Sequence, residues 1–120
     1  MQSFADRINE LRNLQEWVGP YGEQGHPVRQ GNFEIMYRFL DVMKEIAEVP
    51  DPQVAPTYDG DLSLIWSGVT CEIFSDEVEK YIVVCTSNTS EMFNIINDSA
   101  LWNAAYLACH KIGGVLKKLE

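Results

Sequence analysis

The 120-residue sequence has no apolar run of the roughly 18 residues a membrane span needs, and its opening, MQSFADRINELR, lacks the basic start and apolar centre of a secretory leader. A cytosolic chain with no membrane partner is the expectation. Basic residues are scarce, nine against eighteen acids, for a formal net charge of −9. Direct nucleic-acid binding is therefore not expected, because neutralising phosphates takes a clustered cationic surface. Three cysteines, Cys71, Cys85 and Cys109, are an odd number without C-x-x-C spacing, which argues against a disulfide framework and a zinc site. The two histidines, His26 and His110, have no second histidine or carboxylate at metal-ligand spacing. Phosphate-binding glycine loops, G-x-S-x-G and H-E-x-x-H are missing, so nucleotide and hydrolase templates find no support and no cofactor is expected.

What is present fits one α+β domain over residues 1–120, with 46% hydrophobic residues to fill a core. Phe4, Ile8, Leu11 and Val18 recur at helical spacing, with Leu14 beside them and Ser3 and Asp6 as a start signal, so a first helix is expected over residues 4–18. The polar, glycine-rich residues 19–31 read as a loop. A second helix is expected over residues 32–49 on the stripe Ile35, Met36, Phe39, Leu40, Met43, Ile46 and Ala47, stopped by Pro50 and Pro52.

From residue 53 the period becomes two, predicting an antiparallel meander of three to four strands. Pro56 marks the first as an edge strand, and Asp59-Gly60 supplies positive φ for a tight hairpin. Leu62, Leu64 and Trp66 share one face of the second strand. Val69 to Phe74 make a third, and the acidic tip SDEVEK leads to a fourth at residues 81–85. Asn88 and Glu91 are spaced like a capping box, predicting a short helix to about residue 97. Ser99 then caps a last helix, packed on the sheet, that carries Leu101, Ala105, Ala108 and Ile112. Trp102, Tyr106 and Cys109 form a second apolar strip on it, read as a homodimer interface. The closing Leu119-Glu120 resembles an expression-vector remnant, and no expectation rests on it.

Trp17 and Tyr21-Gly22, then a helix, then the run PQVAPTYDGDLSLIW from Pro52 to Trp66 resemble a loose set of small, uncharacterised prokaryotic and phage proteins. In that set a W-D-x-Y-G-like turn precedes a helix, and P-x-V-x-P-T-x-D-G-x-L-x-L-x-W-like residues open a sheet. The similarity covers about residues 17–74, and its turn departs here, reading WVGPYG from Trp17 to Gly22. It implies an α+β fold and a prokaryotic or phage origin, and transfers no activity and no site.

Charge supplies the functional expectation. Residues 41–98 hold twelve acids but only Lys44 and Lys80, hence −10, while the other six acids and seven bases give +1. Such a segment suits a basic protein partner or a nucleic-acid-binding protein. The expectation is a non-enzymatic protein that occludes that partner through Tyr21, Tyr58, Asp59, Asp61, Asp76, Glu77 and Glu79. A phage or mobile-element anti-defence inhibitor of the anti-CRISPR kind, an antitoxin and an immunity protein all fit. Two alternatives stay open: an enzyme or small-ligand binder with a pocket between the 19–31 loop and the sheet, using Tyr21, His26 and Arg29, and a structural subunit of a homo-oligomer.

Overall fold

A computed structural model describes residues 2–116, and Leu119-Glu120 lie outside them. Helix α1 spans Phe4–Arg12, with the Ser3 hydroxyl accepting from the Asp6 amide at 3.1 Å, as the start signal predicts. It stops six residues earlier than its periodicity suggests. The Asn13 amide turns back to the Glu10 and Leu11 carbonyls, and the chain is then drawn into a small hairpin of β1 (Trp17–Val18) and β2 (Gln24–Gly25). The expected 19–31 loop is thus partly a hairpin.

Helix α2 (Gln30–Ile46) buries Asn32, Phe33, Ile35, Met36, Phe39, Leu40, Met43 and Ile46, a stripe as broad as a core helix requires. Arg12 lies 5.0 Å over the ring of Phe33. The helix ends at Ile46 rather than at residue 49, because β3 (Ala47–Glu48) leaves it to pair with the late strand β9 (Val115–Leu116).

Next comes a five-stranded antiparallel sheet in sequence order: β4 (Gln53–Pro56), β5 (Leu62–Trp66), β6 (Val69–Ser75), β7 (Lys80–Cys85) and β8 (Ser90–Asn94). The fifth strand replaces the helix expected after Asn88. Thr86 Oγ1 accepts from the Asn88 and Thr89 amides and the Thr86 amide donates to the Thr89 carbonyl, which closes a hairpin turn where a helix cap was read. Residues 90–94 then pair in register with β7, from Cys85 opposite Ser90 to Tyr81 opposite Asn94. One C-terminal helix therefore follows the sheet, not two.

That helix, α3 (Asp98–Ile112), is capped by the Asn97 side chain on the Ala100 amide at 2.9 Å, and ends at Gly113 in the left-handed region. Leu101, Ala104, Ala105, Ala108 and Cys109 are buried, and the small alanines let α3 lie close beside α2. Both helices cover the sheet face formed by Leu62, Leu64, Trp66, Val69, Cys71, Ile73, Ile82 and Val84, and these residues complete the core. The opposite face carries Ser63, Ile65, Thr70, Glu72, Phe74, Tyr81 and Met92, all at least partly open to solvent, with Val83 buried among them. No helix among the described residues is long and apolar enough to cross a membrane.

Candidate functional site at the hairpin-tip end

In a meander, alternate turns lie at the same end of the sheet. The turn after β4 (residues 57–61) and the turn after β6 (residues 76–79) therefore share one end, and the start of α2 and the β1–β2 hairpin join them there. The His26 amide donates to the Tyr58 carbonyl and the Arg29 amide to the Gly60 carbonyl, both at 3.0 Å, which lashes the segment before α2 to the first tip.

The 57–61 turn is wider than the two-residue hairpin that Asp59-Gly60 suggests. The Thr57 amide bonds the Asp61 carbonyl, the Asp61 amide bonds Thr57 Oγ1, and Gly60 alone within the turn has positive φ, at +89°. A Cβ at Gly60 would stand 2.8 Å from the Pro27 carbonyl oxygen, so glycine serves both the turn and the close approach.

Two aromatic rings close the end. Trp17 stacks on Tyr58 with centroids 4.9 Å apart and planes at 25°, and its Nε1 donates to the His26 carbonyl at 3.3 Å. The indole lies directly over Gly25, where a Cβ would come within 2.1 Å of the ring. Tyr21, at the tip of the β1–β2 hairpin, is 90% exposed, and its amide is held by the Glu23 carboxylate at 3.0 Å. Tyr58 is 38% exposed.

Beneath the tips lies a buried polar cluster that the sequence did not disclose. Asn32 is fully buried, donates to the Gly60 carbonyl at 3.0 Å, and accepts from the Ser75 hydroxyl at 2.6 Å. Arg29 donates to Asp61 at 2.8 Å. Among the described residues no buried side-chain nitrogen or oxygen lacks a partner. The one available signal was a polar residue on the apolar stripe of α2, since Asn32 shares its face with Phe33, Met36 and Leu40.

The structure thus places Tyr21, Tyr58, Asp59, Asp76, Glu77 and Glu79 at one end, all exposed. Asp61 is a correction: its side chain is only 7% exposed and faces Arg29 and Asn32 beneath the surface, so it braces the tip from within. Cys109 is a second correction. It is fully buried and its thiol donates to the Met43 carbonyl at 3.5 Å, because it follows Leu101 and Ala105 at core spacing. Trp102 and Tyr106 do face outward, 40% and 42% exposed and stacked at 5.1 Å.

The acids of residues 41–98 do not share one face. Asp41 and Glu45 lie on the exposed side of α2, Asp51 pairs with Lys44 at the far end, Glu72 stands on the open sheet face, and Asp98 pairs with Arg38. The concentration is local, made by Asp59, Asp76, Glu77 and Glu79 with Glu23 added from outside that segment; Lys80 follows directly and Arg29 is engaged by Asp61.

The two aspartates differ in electrostatics. Burial raises the Asp61 carboxyl above its ordinary value of 3.8, outweighing the pull of Arg29 and the hydrogen bond from Asn32. The Glu79 and Val78 amides both donate to Asp76 Oδ1 and hold its pKa below 3.8, with a lesser contribution from Arg29. A raised folded-state pKa contributes stability below the unfolded value and loses it as pH rises through the folded one; a lowered pKa does the reverse. Acidification from neutral should therefore strengthen folding through Asp61 and weaken it through Asp76. Carboxyl-carbon NMR titration should find Asp61 with a midpoint above 3.8 and Asp76 with one below; the opposite order would refute this account.

The buried thiols are poor nucleophiles, since burial pushes Cys71 up to about 12 and Cys109 up to about 11. No three His, Cys, Asp or Glu side chains among the described residues converge as a metal site. A cavity of about 630 Å³ lies between the start of α1 and β4, lined by Phe4, Arg7, Pro52, Gln53, Val54 and Ile65, among others. Another of about 330 Å³ sits at the tips beside Arg29, Gly31, Ser75, Asp76 and Glu77. His26 is exposed and lines neither, so the expected meeting of Tyr21, His26 and Arg29 around one pocket does not form there. Comparison with protein-family models, with curated proteins and with solved structures finds no match.

Proposed function

We infer that this chain is a non-enzymatic binding protein whose hairpin-tip end occludes a basic macromolecular partner. The observation that carries the reading is the convergence, at one end of the sheet, of exposed Tyr21 and Tyr58 with Asp59, Asp76, Glu77 and Glu79. Carboxylates there raise the rate of encounter with a cationic surface, and rigid aromatic rings supply area that can be desolvated at little entropic cost. The buried brace of Asn32, Asp61 and Ser75 fixes the tips before binding, which reduces the ordering that association would otherwise require. An anti-defence inhibitor, an antitoxin and an immunity protein all work by such occlusion, and the partner is a basic protein, including one that itself binds nucleic acid.

Neutralising the tip tests this without breaking it. Asp76→Asn keeps an acceptor for the Val78 and Glu79 amides, and Glu77→Lys with Glu79→Lys inverts the exposed charge. Affinity capture from the native host should retain a basic protein on the wild-type chain and lose it on this triple variant, with association slowed roughly tenfold or more and its salt dependence flattened. Capture and kinetics unchanged by the triple variant and by Tyr21→Ala would remove this end from the interaction.

A further inference from the structure

The two margins of the five-stranded sheet differ in a way that the tip end does not explain. In an antiparallel ladder, alternate residues of an edge strand aim their amide and carbonyl groups outward. On β4 the Thr57 amide bonds the Asp61 carbonyl, so by alternation Ala55 and Gln53 pair inward and Val54 and Pro56 face out. Both are blunted: the Val54 carbonyl accepts from Arg7 Nε at 2.9 Å, and Pro56 has no amide hydrogen.

On β8 the Thr86 amide bonds the Thr89 carbonyl and the Ile95 amide bonds the Lys80 carbonyl, so Glu91 and Phe93 pair inward while Ser90, Met92 and Asn94 present their backbone outward. No proline, lysine or neighbouring helix side chain closes this edge among the described residues; the one bond there is from the Ile96 amide to the Asn94 carbonyl. Met92, at the centre, is 64% exposed.

We propose that β8 is a self-association edge at which a second copy of this chain adds its own β8 antiparallel, centred on Met92. The sequence Ser90-Glu-Met-Phe-Asn94 is self-complementary in that register. All three outward-facing residues find partners: Met92 faces Met92 of the second copy, and Ser90 faces its Asn94. Charge selects the same register. Each Glu91 falls opposite a Phe93, whereas a register centred one residue earlier sets the two Glu91 carboxylates directly against each other, a destabilising pair. The result is a ten-stranded continuous sheet that buries the exposed methionine and leaves both acidic ends free.

Light scattering over a range of concentrations, with amide hydrogen exchange, tests the pairing. The wild-type mass should rise with concentration from 13.6 kDa towards twice that value, and the Met92 and Asn94 amides should slow as it does. Met92→Lys sets like charges face to face at the centre, and should stay at single-chain mass with an unchanged circular dichroism spectrum. A wild-type chain that keeps its single-chain mass, doubling that survives Met92→Lys, or doubling abolished by Trp102→Ala with Tyr106→Ala would each overturn the proposal. The triple tip variant should dimerise like the wild type, which separates failure here from failure of the occlusion reading.

Discussion

Asn32→Ala should lower the free energy of unfolding by about 3 kcal/mol, measured as a shift of the urea midpoint at constant slope. The side chain is fully buried and makes two good hydrogen bonds, to the Gly60 carbonyl and from the Ser75 hydroxyl, with a longer one to Asp61. Alanine strands the buried Ser75 hydroxyl and takes a donor from the Gly60 carbonyl and from Asp61, which keep Arg29 as their remaining partner. A stranded buried polar group costs roughly 1–3 kcal/mol, to which the vacated side-chain volume adds. Ser75→Ala removes only one of the bonds and should cost about 1 kcal/mol. Equal losses for the two would show that the Ser75–Asn32 bond alone carries the effect and that the bonds to Gly60 and Asp61 add nothing.

The second large effect belongs to Gly25. Alanine there places a methyl group within 2.1 Å of the Trp17 ring, far inside any real carbon contact, and the ring opposes it with its rigid indole carbons. Trp17 must leave Tyr58, and the β1–β2 hairpin loses the contact that fastens it to the first tip. The expected cost is about 2 kcal/mol, typical of overpacking, with loss of the near-ultraviolet circular dichroism of the stacked pair. Under the proposed occlusion of a basic partner, that binding should weaken as well, because Tyr21 rides on the same hairpin. A stable Gly25→Ala protein with that signal intact would mean that the backbone at residue 25 gives way while Trp17 keeps its place on Tyr58, and would overturn this account.

Much of the fold was legible from residue patterns. The stripe on α2, the alternation Leu62, Leu64, Trp66 and the turn at Asp59-Gly60 are local signals, and the structure follows them, the turn in a wider form. The errors came where a local signal met a distant partner. Leu14 and Val18 continue the helical period of α1, but Trp17 is captured by Gly25 and Tyr58, up to 41 positions later in the chain. Asn88 and Glu91 have capping-box spacing, yet the neighbouring β7 offers residues 90–94 a full ladder, and that pairing prevails.

The candidate site was half legible for the same reason. Exposed acids at turn tips declare themselves by their neighbours in sequence. Asp61 does not: it sits two residues from Asp59, but the hydrogen bonds that close the 57–61 turn set it inward towards Arg29, which lies 32 positions earlier. Cys109 was misread because one broad core face was divided into two strips, and only the packing of α3 against α2 shows where the division falls.

The three tryptophans occupy three unlike settings. Trp17 lies at the acidic end beside Tyr58, Trp66 is 6% exposed and bonded through Nε1 to the Pro50 carbonyl, and Trp102 stands 40% exposed on α3. Versions of the chain keeping one indole each would carry separate built-in fluorophores, one answering to events at the tips, one to loosening of the interior, and one to anything that settles on the outer helix.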